Sequence, residues 1–288
     1  MKLSEFNSLP PEKAEELLMD CCGSEKWAAL MVKKLPFSSV RLLWDNATRI
    51  WYEECSSADW NEALRRHPKI GDILLLTKKL AEAAKQAGKE SEMNESSEEM
   101  LRLLKFANEE YEKQNGFIFV YSASGKSSGE ILRQLTGRLF NSRDEEMDIA
   151  MGEQHKITLI RLMRSLESDQ WNSIPGSHIS ISATNVVDGK PARGITVRLK
   201  DCWKGSWQTI AQGETNAGGM INDLLPPGKI PEDGNYQLVF ETGDYFKDNR
   251  MEGLYPQVDI IFTLSGNAKC HIPLNIGPDG FSTQRASG

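Results

Sequence analysis

Apolar positions in the first half of the chain recur at helical spacing. In "PFSSVRLLWDNATRIW", Val40, Leu43, Trp44, Ala47, Ile50 and Trp51 fall three or four residues apart, which predicts one buried helical face with Ser38 or Ser39 as N-cap. "SSEEMLRLLKFANEEYEKQ" predicts a long amphipathic helix, with Ser96 and Glu99 in capping-box register. "EEMDIAMGEQHKITLIRLMRSLE" predicts another of about five or six turns. Between these two lies "GFIFVYSASGKSSGEILRQL", an apolar run, a small-residue turn and a helix.

Near residue 168 the pattern changes. After the polar "ESDQWNSIPGS" come short β-rich runs: "HISISATNV", "ITVRLKDC", "WQTIAQGET", "YQLVFET", "VDIIFTL" and "CHIPLNI". Gly, Pro, Asn and Asp clusters separate them, as in "DGKPARG" and "LPPGKIPEDGN". The expectation is a multidomain α + β chain: an all-α helical domain over residues 1–167, a linker over 168–176 and a β-sandwich over 177–288.

At 288 residues the chain is long enough for two cores. A formal charge of -7 with no Lys/Arg cluster argues against a nucleic-acid surface. The five cysteines are odd in number and lack a CxxC pair, which argues against a disulfide framework or zinc site and fits a reducing cytoplasm. No apolar run approaches the ~20 residues that span a bilayer. The "GKS" at Gly125–Ser127 invites a phosphate-loop reading, but Val120 stands where that motif needs glycine, so a capped helix start is expected instead.

One stretch, "RRHPKIGD", carries candidate chemistry. Trp60, Ala63, Leu64 and His67 share a helical stripe, and Pro68 is expected to end the helix just after His67. A helix C-terminus favours the imidazolium while burial disfavours it, so the two influences oppose at His67. A half-buried helix-capping histidine satisfies the same features.

"HPKIGD", "GFIFVYSASGKSSGEIL" and "EQHKITLIRLMRSL" resemble the 2-oxo-4-hydroxy-4-carboxy-5-ureidoimidazoline (OHCU) decarboxylases. In that family a His before Pro, a Glu within Ser-x-x-Glu-Gln and an Arg in the last helix line the substrate pocket. The resemblance implies catalytic roles for His67, Glu90 and Arg161, with Pro68, Ala87 and Ser91 beside the substrate. Here Ala87 and Ser91 replace the family's Ser and Gln, and Glu92 is an alternative to Glu90. The chemistry implied is decarboxylation to (S)-allantoin in urate breakdown. A histidine can hold a hydroxyl or move a proton, and an Arg can grip a carboxylate or ureido oxygen. No metal or organic cofactor is implied.

The second half, through "GKPARGITVRL", "GNYQLVFETGDYF", "YPQVDIIFTL" and "CHIPLNIGPDGFST", resembles the transthyretin-like 5-hydroxyisourate hydrolases. The motifs that carry that family's His, His and Arg are altered. Ser182 stands at the first-strand His, Met220 at the Arg and Lys269 at one late His, while His271 is kept; the terminus has Gln284 for Tyr, with Arg285 kept. The expectation is a sandwich that folds without hydrolase chemistry. Two other readings stay open: a fully bifunctional enzyme, and a non-enzymatic binding or scaffolding protein. The resemblance further implies a homo-oligomer acting on a purine-derived small molecule, without nucleic-acid or membrane partners.

Overall fold

The computed structural model describes residues 1–67, 95–122, 127–167, 171, 174, 176–203, 205–266 and 269–284. Helices α1 (Leu3–Asn7), α2 (Pro11–Cys22) and α3 (Glu25–Val32) lead into α4 (Val40–Arg49). The Ser39 hydroxyl accepts from the backbone N–H of Leu42 and caps α4. All six residues of the expected apolar face are buried. The chain continues through a π-helical turn (Ile50–Glu54) into α5 (Ser57–Arg65), α6 (Glu95–Asn115), α7 (Ser128–Arg138) and α8 (Arg143–Ser165).

Two of these starts refine the sequence reading. Ser127, the serine of "GKS", caps α7: its hydroxyl accepts from the Glu130 N–H and bonds the Glu130 carboxylate. That use of the side chain supports the capped-helix expectation over a phosphate loop. Ser96 lies inside α6, which already includes Glu95, so it is not the cap. α8 begins at a capping box of Ser142 and Glu145 and runs between the two helical cores. It gives Leu159 and Leu162 to the core around Trp27 and Trp51, and Ala150 to the core around Tyr111 and Phe119. A buried Arg138–Glu146 pair ties α7 to α8, with Arg138 also donating to the Val120 carbonyl at 3.0 Å.

The second half is a sandwich of two four-stranded sheets, ordered β4-β1-β7-β8 and β3-β2-β5-β6. The strands are β1 (Ile179–Asn185), β2 (Thr196–Trp203), β3 (Ser206–Glu214), β4 (Met220–Ile221), β5 (Gly234–Phe240), β6 (Val258–Leu264), β7 (Cys270–Gly277) and β8 (Gly280–Thr283). The six β-rich runs of the sequence all appear. The two short strands β4 and β8 and the helix α9 (Thr242–Asp248) are not marked by the pattern, because strands of two and four residues and a helix of under two turns carry too little periodicity. Alternation on β1 sends Ile179, Ile181 and Ala183 inward and leaves Ser180 and Ser182 on the outer face.

β3 is an edge strand, and α8 lies along it. Glu145 accepts from the Thr209 backbone N–H at 3.2 Å, and Gln208 donates to Asp148 at 2.9 Å. Arg133 of α7 grips Glu214 through two bonds of 3.0 and 2.6 Å. The Trp44 indole N–H donates to the Pro227 carbonyl at 3.0 Å. Covering the edge in this way meets the Thr209 N–H and obstructs the approach of a foreign strand. No helix among the described residues is long and apolar enough to cross a membrane.

Candidate active site

α5 ends at Arg65, so His67 lies just past the helix rather than in its last turn. Its backbone N–H still reaches the Leu64 carbonyl at 3.2 Å, a tightened final turn that swings the imidazole toward α8. There Nε2 bonds the Gln154 side-chain oxygen. Gln154 is fully buried, and its amide nitrogen donates to the Cys22 carbonyl at 2.8 Å and the Thr158 hydroxyl at 3.2 Å. With the amide nitrogen held by acceptors, Oε1 must face the imidazole. The proton of neutral His67 therefore sits on Nε2, and Nδ1 carries the lone pair.

Burial holds the His67 pKa below its ordinary value, and the Arg161 guanidinium lowers it further, against the opposing bond from Gln154. The opposition expected from the sequence is thus resolved in favour of the neutral ring. Arg161 lies seven residues after Gln154 on α8, on the same helical face, and donates from Nη1 to the Asp20 and Cys21 carbonyls at 3.2 Å each. These carbonyls close the C-terminal end of α2, where a cation is favoured. The guanidinium is thereby anchored by one edge, half-buried, near enough to the imidazole for its charge to act on it.

His67 and Arg161 are brought together. Pro68, Ala87, Glu90 and Ser91 lie outside the described residues, as does the alternative Glu92. Gln154 is not among the sequence-derived candidates, although its seven-residue spacing from Arg161 in "EQHKITLIR" marks the shared face.

On the sandwich, parallel pairing of β1 with β7 sets Ser180 opposite His271 and Ser182 opposite Pro273. The His271 ring consequently lies between two hydroxyls, with Nδ1 2.9 Å from Ser180 Oγ and Nε2 3.0 Å from Ser182 Oγ. Met220 pairs with Ser182 from β4, and Gln284 shares a cavity of about 290 Å³ with His271 and Lys269. The altered positions named from the sequence therefore do converge on His271, and the kept Arg285 lies outside the described residues.

The sequence profile of the OHCU decarboxylase family matches residues 7–163, more than half of the chain. The chain belongs to the OHCU decarboxylase family. The profile of the HIUase/Transthyretin family matches residues 179–286, so this decarboxylase-family chain carries a transthyretin-like second domain. A uric acid degradation bifunctional protein TTL from Arabidopsis thaliana is 28% identical over 318 residues, covering 93% of this chain and 96% of that one. The second domain alone matches a 5-hydroxyisourate hydrolase from Salmonella typhi, 33% identical over 114 residues, or 39% of this chain and 83% of the relative. One from Mus musculus is 35% identical over 112 residues, or 36% of this chain and 92% of the relative. By family the chain is a carboxy-lyase of urate degradation joined to a hydrolase-like domain.

Proposed function

We propose that the helical domain, residues 1–167, decarboxylates OHCU to (S)-allantoin, with His67, Glu90 and Arg161 as catalytic residues and Gln154 as a positioning residue. The observation that carries this reading is the neutral His67 ring, held through Nε2 by Gln154 beside the anchored Arg161. Its Nδ1 lone pair takes the proton of the substrate hydroxyl while Arg161 holds the carboxylate or ureido oxygen. As CO2 leaves, the electron pair it releases spreads into the adjacent imine, whose nitrogen takes a proton from water. The proton taken up by His67 then returns to one face of the ring, which sets the configuration. Glu90 is assigned to orienting the substrate, with Pro68, Ala87 and Ser91 beside it. Freshly generated OHCU followed by circular dichroism tests the reading: decay no faster than the spontaneous reaction would overturn it.

The sandwich, residues 177–288, is read as silent toward hydroxyisourate and as a brace for α8, joined through 168–176. Both His271 nitrogens are engaged by serines, Met220 brings no charge, and Ser182 is no base near neutral pH. The protein is further read as a cytoplasmic homo-oligomer. Cys21, Cys22, Cys55 and Cys202 are free thiols, and the apolar Tyr255 and Phe281 stand partly exposed at the β8 edge, their rings 5.3 Å apart. Sedimentation velocity checks the assembly: a monomer across micromolar concentrations removes that part of the reading.

A further inference from the structure

Away from the seam between helices and sandwich, the last turn of α2 is a second place where distant elements meet. Gly23, at φ +85°, carries the chain out of the helix after Cys22, its N–H bonded to the Met19 carbonyl at 2.8 Å. Beyond that bond lie the carbonyls of Asp20, Cys21 and Cys22, which α2 itself has no N–H to meet. One face of α8 meets all three: Gln154 donates to Cys22, and Arg161 to Asp20 and Cys21. Gly23 also lies against the end of α5, where an added Cβ would stand 3.3 Å from Arg66 Cδ and 3.5 Å from the Ala63 Cα. This turn of backbone therefore touches the arm that carries His67 and both α8 side chains that act on it.

Thr158 stands between those two side chains, one turn after Gln154 and just under a turn before Arg161, and it is fully buried. Its hydroxyl donates to the Gln154 backbone carbonyl at 3.1 Å, and a hydroxyl has one proton to give. What it presents to the Gln154 amide nitrogen, 3.2 Å away, is therefore a lone pair. The Cys22 carbonyl, 2.8 Å from the same nitrogen, can only accept. Two acceptors thus take the two N–H bonds of the amide, and a flipped amide would set Oε1 against the Cys22 oxygen. A valine of the same shape would fill the site, but it would leave a buried N–H facing a methyl group.

We propose that Thr158 is a further positioning residue for the decarboxylation: with the last turn of α2 it pins the Gln154 amide at two points, so that His67 keeps its proton on Nε2 while Arg161 is held from the same turn. This rests on the reading of His67 as the base that takes the substrate proton. Thr158 acts through Gln154 and not on the substrate. With one pin removed, the amide swings about its bond to Cys22 and meets the imidazole only part of the time. The ring then also adopts the other tautomer, whose Nδ1 carries a proton and has no lone pair to offer.

The test compares Thr158→Val, which deletes the hydroxyl, with Thr158→Ser, which keeps it, both in the full chain. Turnover of OHCU is measured beside imidazole nitrogen NMR of isotope-labelled protein, the His67 signals being assigned by their loss in His67→Ala. Thr158→Val should lower kcat about tenfold, the factor one buried hydrogen bond produces, with KM little changed because Arg161 keeps its carbonyls. The acid limb of its kcat/KM profile should move to lower pH, since the bond from Gln154 is the influence that raises the His67 pKa. The neutral ring should show the Nε2–H tautomer in the wild type and in Thr158→Ser, and a mixture in Thr158→Val. A wild-type kcat or a wild-type tautomer in Thr158→Val overturns the proposal. So does a loss that Thr158→Ser shares in full, which would assign the effect to packing. The NMR measurement needs no turnover, so a wild-type chain inert toward OHCU would overturn the decarboxylase reading alone.

Discussion

Gly228 meets the indole of Trp44 so closely that a methyl group on its Cα would lie 2.6 Å from Nε1, and its φ of +85° is one that side chains disfavour. The two residues are the point where the sandwich loop touches α4. Gly228→Ala is expected to destabilise the chain by about 1–3 kcal/mol through overpacking and backbone strain. Denaturant unfolding followed by tryptophan fluorescence checks it, since Trp44 itself reports the contact. An unchanged midpoint would show that the loop can retreat at no cost.

His67→Ala should reduce turnover of OHCU by about 10²–10⁴-fold, the usual worth of a positioned acid or base. Gln154→Glu is more discriminating. A carboxylate on Nε2 stabilises the imidazolium, so the folded-state pKa of His67 should rise and the acid limb of the kcat/KM profile should move to higher pH. A residue that only supports the fold would lower activity without moving that limb.

The hydrolase site offers a gain-of-function test. Ser182→His with Met220→Arg and Lys269→His rebuilds the motif types around His271, which is already in place on β7. The unaltered chain is expected to leave the absorbance decay of hydroxyisourate at its spontaneous rate, and the triple variant to accelerate it. Acceleration by the unaltered chain would instead favour a fully bifunctional enzyme.

Two groups flanking the seam set opposing acid responses. His155 is fully buried and held neutral, its pKa pushed down to about 3 by burial and then by the positive charge of Lys229. As pH falls from about 6.5 toward 3, the unfolded chain takes up a proton that folded His155 refuses, and stability is lost at up to about 1.4 kcal/mol per pH unit. Asp148 is raised by burial to about 6. Between about pH 6 and 4 the folded chain takes up the Asp148 proton first, which adds stability and offsets His155. Asp148→Asn removes the offset, so thermal midpoints should begin to fall near pH 6 instead of near pH 4. Parallel curves for the two chains would contradict this.

Short-range pattern carried much of the architecture. The apolar face of α4, the six longer strands and the change near residue 168 all follow from spacing within one element. What escaped depends on partners distant in the chain. Nothing local to Arg133 points to Glu214, 81 residues away. Gln154 sits among charged neighbours that resemble a solvated helix, and only the approach of Cys22 and His67 explains its burial. His67 was legible as a residue fixed at a helix end, but the choice of tautomer needed the Gln154 amide. In the sandwich, strand alternation identifies Ser180 and Ser182 as outward-facing, whereas the parallel register that sets His271 between them cannot be read from either strand alone.

α8 has hardly any face turned idly to water. One side holds Gln154 and Arg161, another buries leucines in the helical core, and Glu145 and Asp148 reach the sandwich edge. A one-residue insertion within this helix would rotate every later position by about 100° and disturb chemistry, core and seam together. Natural variation in the family should therefore spare the length of this segment even where its side chains drift. For the same reason the sandwich is hard to shed by truncation, because its loss would strip the cover from charged and polar groups that are now shielded.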